Sequence, residues 1–117
     1  MAIKTPDRVL TPANNDDVCT PPVNCRRCKR LSAFRTRWAQ EAPAWHNAPV
    51  TSFGPADARL LIVGLAPGLR GANRTGRPFT GDASGAFLFA ALDSAGFSVG
   101  RYGADAADGL RLIDCCI

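Results

Sequence analysis

Long apolar runs are missing from this chain: no stretch approaches the roughly 18–20 residues of a membrane-spanning helix. The opening MAIKTPDRVL also lacks the apolar core of an export signal. These two shortages argue against a helical membrane protein and make a cytoplasmic location the expectation. Histidine occurs once, at His46, in a loop ahead of the first expected strand, where no chemical role is expected for it. Lysine is scarce as well: twelve of the fourteen basic residues are arginine, whose planar fork suits phosphate better than a point charge does. Acidic residues are absent from one whole stretch. Between Cys25 and Arg37 there are six basic residues and no carboxylate, so a polyanion partner is expected alongside the plainer reading of a solvated basic face.

Five cysteines (Cys19, Cys25, Cys28, Cys115, Cys116) without an export signal speak against a disulfide framework and for metal or redox chemistry. Residues 1–24 are rich in Pro, Asn, Asp and Thr without periodicity, and are expected to be a flexible arm. Leu31, Phe34 and Trp38 recur at helical spacing and predict a helix over Arg26–Ala42, ending before Pro43. Residues 43–58, with three prolines, read as a loop. The run RLLIVG then has the pattern of a fully buried parallel strand. In ASGAFLFAALDSAG, the residues Phe87, Leu88, Ala91, Leu92 and Ala95 are expected to form one helical face. Asp82 and Ser84 are the candidate N-caps, and Gly96 stands where a left-handed cap is needed. Residues 97–109 read as a connecting loop and LRLIDCCI as a second strand. Such a strand–helix–strand unit buries its sheet on both faces, which takes further elements. Residues 25–117 are therefore expected to be the N-terminal part of a larger α/β domain, and the chain to act as a monomer.

Between the expected strand and helix lies GLAPGLRGANRTGRPFTGDASG, with six of the eleven glycines, three arginines and one carboxylate. A strand running into a glycine-rich loop and then a helix places bare backbone N–H groups at the carboxyl edge of a sheet, where ligands of open α/β sheets bind. No lysine followed by Ser or Thr comes after the spaced glycines, so this is not a Walker A loop, and a nucleotide-binding reading is poorly supported. Phe79 is either a lone core plug or a stacking face for a planar ligand. Asp82 is either an N-cap alone or also a carboxylate that orients a water.

GLAPG followed by NRTGRPFTGDASG resembles the first signature of the type-5 uracil-DNA glycosylases, within the uracil-DNA glycosylase superfamily. CRRCKRLSAFR resembles the family's N-terminal cysteine pair and helix, FGPADARLLIVG its approach to the first strand, and DGLRLIDCCI the segment leading to a second active-site strand. The resemblance covers about Cys25 to Ile117. It implies a three-layer α/β/α sandwich around a parallel sheet, incomplete in this chain. It also implies a base-excision repair enzyme that hydrolyses the N-glycosidic bond of uracil in DNA, with other deaminated bases as further candidate substrates.

By the same resemblance, Gly64, Leu65, Ala66, Pro67 and Gly68 line the base pocket, Phe79 stacks on the base, Asp82 helps position the hydrolytic water, and Arg74 and Arg77 are the candidate DNA contacts. Relatives in the superfamily carry an acidic residue or Asn directly after the first glycine. Leu65, typical of type 5, shifts the catalytic burden to Asp82 and to a histidine in a later signature that is not in this sequence.

The spacing of Cys25 and Cys28 suits either a structural zinc or an iron–sulfur cluster, each normally held by four ligands. The resemblance makes them two ligands of a [4Fe-4S] cluster. The chain alone is then expected to be inactive and poorly folded. The competing reading is a small zinc-bound nucleic-acid-binding module without catalysis, using Cys25, Cys28, Cys19 and one of Cys115 or Cys116.

Overall fold

The structure, a computed structural model, describes residues 21–117. Most of the arm expected over 1–24 and all of Cys19 therefore lie outside the described residues. Seven elements follow in order: α1 (Lys29–Glu41), β1 (Leu60–Leu61), α2 (Ala72–Thr75), α3 (Ala83–Ser94), β2 (Ser98–Val99), β3 (Arg111–Leu112) and β4 (Cys115–Cys116). The chain is α/β, as expected, but its strands are short. β1 and β4 pair in parallel, with Leu60 opposite Cys115 and Leu61 opposite Cys116. β2 and β3 form an antiparallel pair, with β2 inside the region expected to be a plain loop.

The expected strand LRLIDCCI is two strands, and Asp114 is the reason. Its φ of 53° is left-handed, which breaks the extended run after Ile113. The turn is held by the Asp114 carboxylate, which accepts from the Arg59 backbone N–H (2.9 Å) and from the Arg59 guanidinium. That guanidinium keeps the Asp114 carboxyl below its ordinary range. The chain thus leaves the β2–β3 pair and joins β1 within two residues.

α3 begins where the sequence said it would. Asp82, in an extended conformation, accepts a bond from the Gly85 N–H (3.2 Å), satisfying one of the helix's free donors. It ends on Gly96 at φ 78°, with Phe97 N–H donating to the Leu92 carbonyl (2.8 Å) and Gly96 N–H to Asp93 (3.0 Å), a Schellman closure. The buried face matches the expected one only at Leu92, which is buried, and Leu88, which packs against the core. Gly85, Phe89 and Leu92 face inward, while Phe87 is 80% exposed and Ala91 and Ala95 are exposed. The helix is rotated so that Phe89 can enter the cluster formed with Leu92, Leu110, Leu112 and Cys115.

This cluster covers one face of the β1–β4 pair. The other face is bare: Leu61 is 66% and Val63 82% exposed, so β1 is not the fully buried strand that its composition suggested. Nor does α1 cover it. α1 forms at the expected place but buries none of its residues; Leu31 and Phe34 remain exposed, and Trp38 stacks on Trp45 of the following loop (5.5 Å). Among the described residues no helix is long and apolar enough to cross a membrane.

Candidate active site

The glycine-rich stretch leaves β1 at its carboxyl end and folds back through α2 to the start of α3, enclosing a cavity of about 340 Å³. Gly64, Leu65, Ala66, Pro67 and Gly68 form one side of it; Phe79 and Asp82 face them. The structure thus brings together seven residues singled out in the sequence. The glycines are there because of close approach. A Cβ at position 64 would lie 3.2 Å from the Phe79 ring, and one at position 71 would lie 2.5 Å from Asp82 Oδ2, closer than real Cβ atoms come.

Phe79 is half-buried, neither swallowed by the core nor free of it. Its φ of 50° is unusual for a residue with a bulky side chain, so its surroundings must hold it. Two groups do so. The Tyr102 hydroxyl accepts from the Gly81 N–H (3.2 Å) and lies 3.5 Å from the Phe79 carbonyl. Gly85, bare on the first turn of α3, lets the helix pack directly on the Phe79 backbone. Thr80, fully buried, links its hydroxyl to the Pro78 carbonyl (3.0 Å). Sequence reasoning passed over Tyr102 and Thr80; that Tyr102 is the only tyrosine was the one available signal.

The two oxygens of Asp82 are used differently. Oδ1 accepts from Ser84 Oγ (2.6 Å) and from the Gly85 N–H, which fixes the carboxylate plane. Oδ2 takes no hydrogen bond from the described residues and lies beside Gly68 and Gly71. Asp82 is therefore both N-cap and a carboxylate with a lone-pair edge open towards the cavity.

Arg77 is a correction. Expected at DNA, it is 4% exposed and spent inside the protein. Its guanidinium forks onto Asp108 (2.7 and 2.8 Å), its Nε donates to Thr80 Oγ1 (2.8 Å), and it lies over the Phe53 ring at 5.0 Å. Asp108 also accepts from the Gly103 and Leu110 N–H groups, and with the Arg77 fork leading, its carboxyl is held well below the usual carboxylate range. A bidentate pair whose carboxylate takes further backbone bonds is what a buried ion pair requires. Arg74, the other candidate, is exposed and donates to the Gly81 carbonyl (3.1 Å) at the cavity's turn.

His46 sits against the turn at Gly76, with Nε2 3.1 Å from the Pro49 carbonyl, away from the cavity lining. Cys28 is exposed at the start of α1, and Cys25 is half-buried; both are free thiols. No group of three or more His, Cys, Asp or Glu side chains gathers among the described residues. Cys115 is fully buried in the core beneath α3, where burial raises its thiol pKa, while Cys116 is only part-buried. Nothing in this arrangement supports the four-cysteine zinc module.

Residues 51–108, which include the whole glycine-rich stretch, match the family model of the uracil DNA glycosylase superfamily. The chain is 54% identical over 80 residues to the type-5 uracil-DNA glycosylase of Thermus thermophilus, covering 63% of this chain and 36% of that protein. It is 49% identical over 94 residues to the type-5 uracil-DNA glycosylase of Mycobacterium tuberculosis, covering 74% and 35%. The type-5 uracil-DNA glycosylase of Pyrobaculum aerophilum is 42% identical over 110 residues, covering 90% and 49%. The chain belongs to the uracil-DNA glycosylase superfamily. It spans about a third to a half of the length of these relatives. Within the superfamily match fall both Phe79 and Asp82, and also the buried Arg77–Asp108 pair.

Proposed function

We propose that this chain carries the base-seating part of a DNA repair glycosylase, a hydrolase of the N-glycosidic bond of uracil and of other deaminated bases in DNA. The observation that carries this reading is the gathering at one cavity of the Phe79 ring, packed on the bare Gly64 backbone, and of Asp82 Oδ2, beside Gly68 and Gly71. A base inside a duplex cannot reach such a cavity. It must leave the stack at a cost of about a few kcal/mol, least at a mismatch. Stacking on an aromatic returns about 1–3 kcal/mol.

Cleavage builds positive charge on the sugar and negative charge on the departing base. Asp82, locked by Ser84 and Gly85 through Oδ1, presents Oδ2 to accept a hydrogen bond from the attacking water or to face the cationic sugar. The fold proposed for the whole enzyme is the three-layer α/β/α sandwich, acting as a monomer on DNA. Cys25 and Cys28 would supply two thiolates to a [4Fe-4S] cluster, with a structural role; no step of the hydrolysis passes through them. Because one face of β1 is bare, uracil release by this chain itself is expected to fall well below that of a full-length relative.

The test is the affinity of the chain for a duplex with one U·G mismatch against the same duplex with T·A, read by fluorescence anisotropy. A preference for uracil of about tenfold or more, removed by Phe79→Ala, is expected. Equal affinity for both duplexes contradicts the proposal.

A further inference from the structure

We propose that Arg26, Arg27, Lys29 and Arg30, at the start of α1, form a separate contact surface for the DNA phosphate backbone, one that holds a duplex whether or not it contains a lesion. The choice of DNA as the polyanion rests on the glycosylase reading; the surface itself rests on four observations.

The first is which cations are free. Several arginines elsewhere are committed: Arg77 to Asp108, Arg59 to Asp114, Arg37 to Glu41 (2.6 Å) and Arg35 to the Cys25 carbonyl. Arg26, Arg27, Lys29 and Arg30 are all exposed and have no ion-pair partner among the described residues. The second is their position. The first turn of α1 contains no acid, so cations crowd the positive end of the helix dipole beside one another. That arrangement works against the helix and becomes favourable only opposite an anion.

The third observation is shape. A shallow concavity runs along the helix between Arg26, Lys29, Ser32, Arg37 and Gln40, so that two of the four cations share one face with neutral polar side chains. Phosphate contacts in protein–DNA complexes come from this mixture of side chains. The fourth is attachment. α1 buries none of its residues, yet it is not a loose appendage. The Asn47 side chain donates to the Trp38 and Ala42 carbonyls at the end of α1 (3.3 and 2.8 Å) and accepts from Asn73 of α2 (3.0 Å). The helix is thereby tied to the cavity's α2 wall by its C-terminal end, and the cations stand at its other end, about 20 Å away along the helix.

Charge complementarity selects a polyanion, and neutralising phosphates predicts a specific salt dependence. The experiment measures binding of the chain to the uracil-bearing and the thymine duplex over a range of salt, for the wild type and for Arg26→Gln/Arg27→Gln/Lys29→Gln/Arg30→Gln. The slope of log affinity against log salt is expected to flatten by about 0.9 for each phosphate that the variant no longer neutralises. It should do so equally on both duplexes, with a melting temperature unchanged or raised. Should the fourfold variant not fold, Arg26→Gln/Arg27→Gln, outside the helix, gives the same reading with a smaller change.

Three results would overturn the proposal: an unmoved slope, a loss confined to the uracil duplex, or an equal flattening on removing Arg101 and Arg111, exposed cations at the β2–β3 end. A slope unmoved on DNA with binding lost to anionic lipid vesicles would name a membrane surface instead. Failure of the pocket reading looks different: the wild type then shows no uracil preference, while the slope still responds to the α1 cations.

Discussion

The two sides of the β1–β4 pair treat the same kind of residue in opposite ways. On one side Phe89, Leu92, Leu110, Leu112 and Cys115 are buried together, and the Arg77 guanidinium at the cluster's edge is fully paired. On the other, Leu61 and Val63 stand in the open. The cavity belongs to the packed side. Its key torsion, at Phe79, is one that only a well-supported backbone can hold, and Tyr102, Thr80 and Gly85 are that support. The candidate site is thus built where the chain is self-sufficient.

The comparison breaks most sharply at the Arg77–Asp108 pair. Asp108→Ala leaves a guanidinium buried without its partner, and a loss of about 3–5 kcal/mol is expected in urea unfolding followed by circular dichroism. For the same pair the pH dependence has a definite sign. The folded-state carboxyl of Asp108 lies below its unfolded value, so its contribution is complete above the ordinary carboxylate range and is lost as pH falls towards the lowered value. Wild type should lose stability in acid, and Asp108→Asn should show a shallower acid limb.

Next in size is Phe79→Ala, expected to weaken binding of a uracil duplex by about 5–150-fold, the equivalent of 1–3 kcal/mol of stacking, with the thymine duplex unaffected. Asp82 separates two roles. Asp82→Ala removes the N-cap and is expected to cost about 1 kcal/mol of stability, whereas Asp82→Asn keeps a capping side chain and removes the charge. Thermal melts should distinguish Asp82→Ala from wild type, and only the uracil-release rate should distinguish Asp82→Asn. The smallest effect belongs to the bare face. Leu61→Lys and Val63→Lys should change stability by no more than about 0.5 kcal/mol, because those side chains touch water already. A much larger loss in either would show that the face is covered in solution.

Local chemistry was legible in the sequence wherever it depended on residues near one another. The Asp82 cap, the Gly96 closure, the end of α1 and the glycine-lined loop all follow from short-range rules, whereas α1 starts at Lys29, three residues later than expected. What depended on distant partners was not. The rotation of α3 is set by the place of Phe89 between Leu110 and Cys115, far along the chain. The break at Asp114 needs Arg59, fifty-five residues earlier. Arg77 read as a surface cation because nothing nearby in sequence announces Asp108, thirty-one residues on. The Phe79–Asp82 site was readable as a motif, but Tyr102, which props it, arrives from the loop before the Asp108 turn.

The central claim, that a uracil turned out of its duplex rests on Phe79 between bare backbone and Asp82, is tested most directly by a 2-aminopurine placed beside the uracil. Its fluorescence should rise when the chain is added to saturation, stay flat when thymine replaces uracil, and stay flat with Phe79→Ala. An equal rise with uracil and thymine, or no rise with either at saturation, would contradict the account.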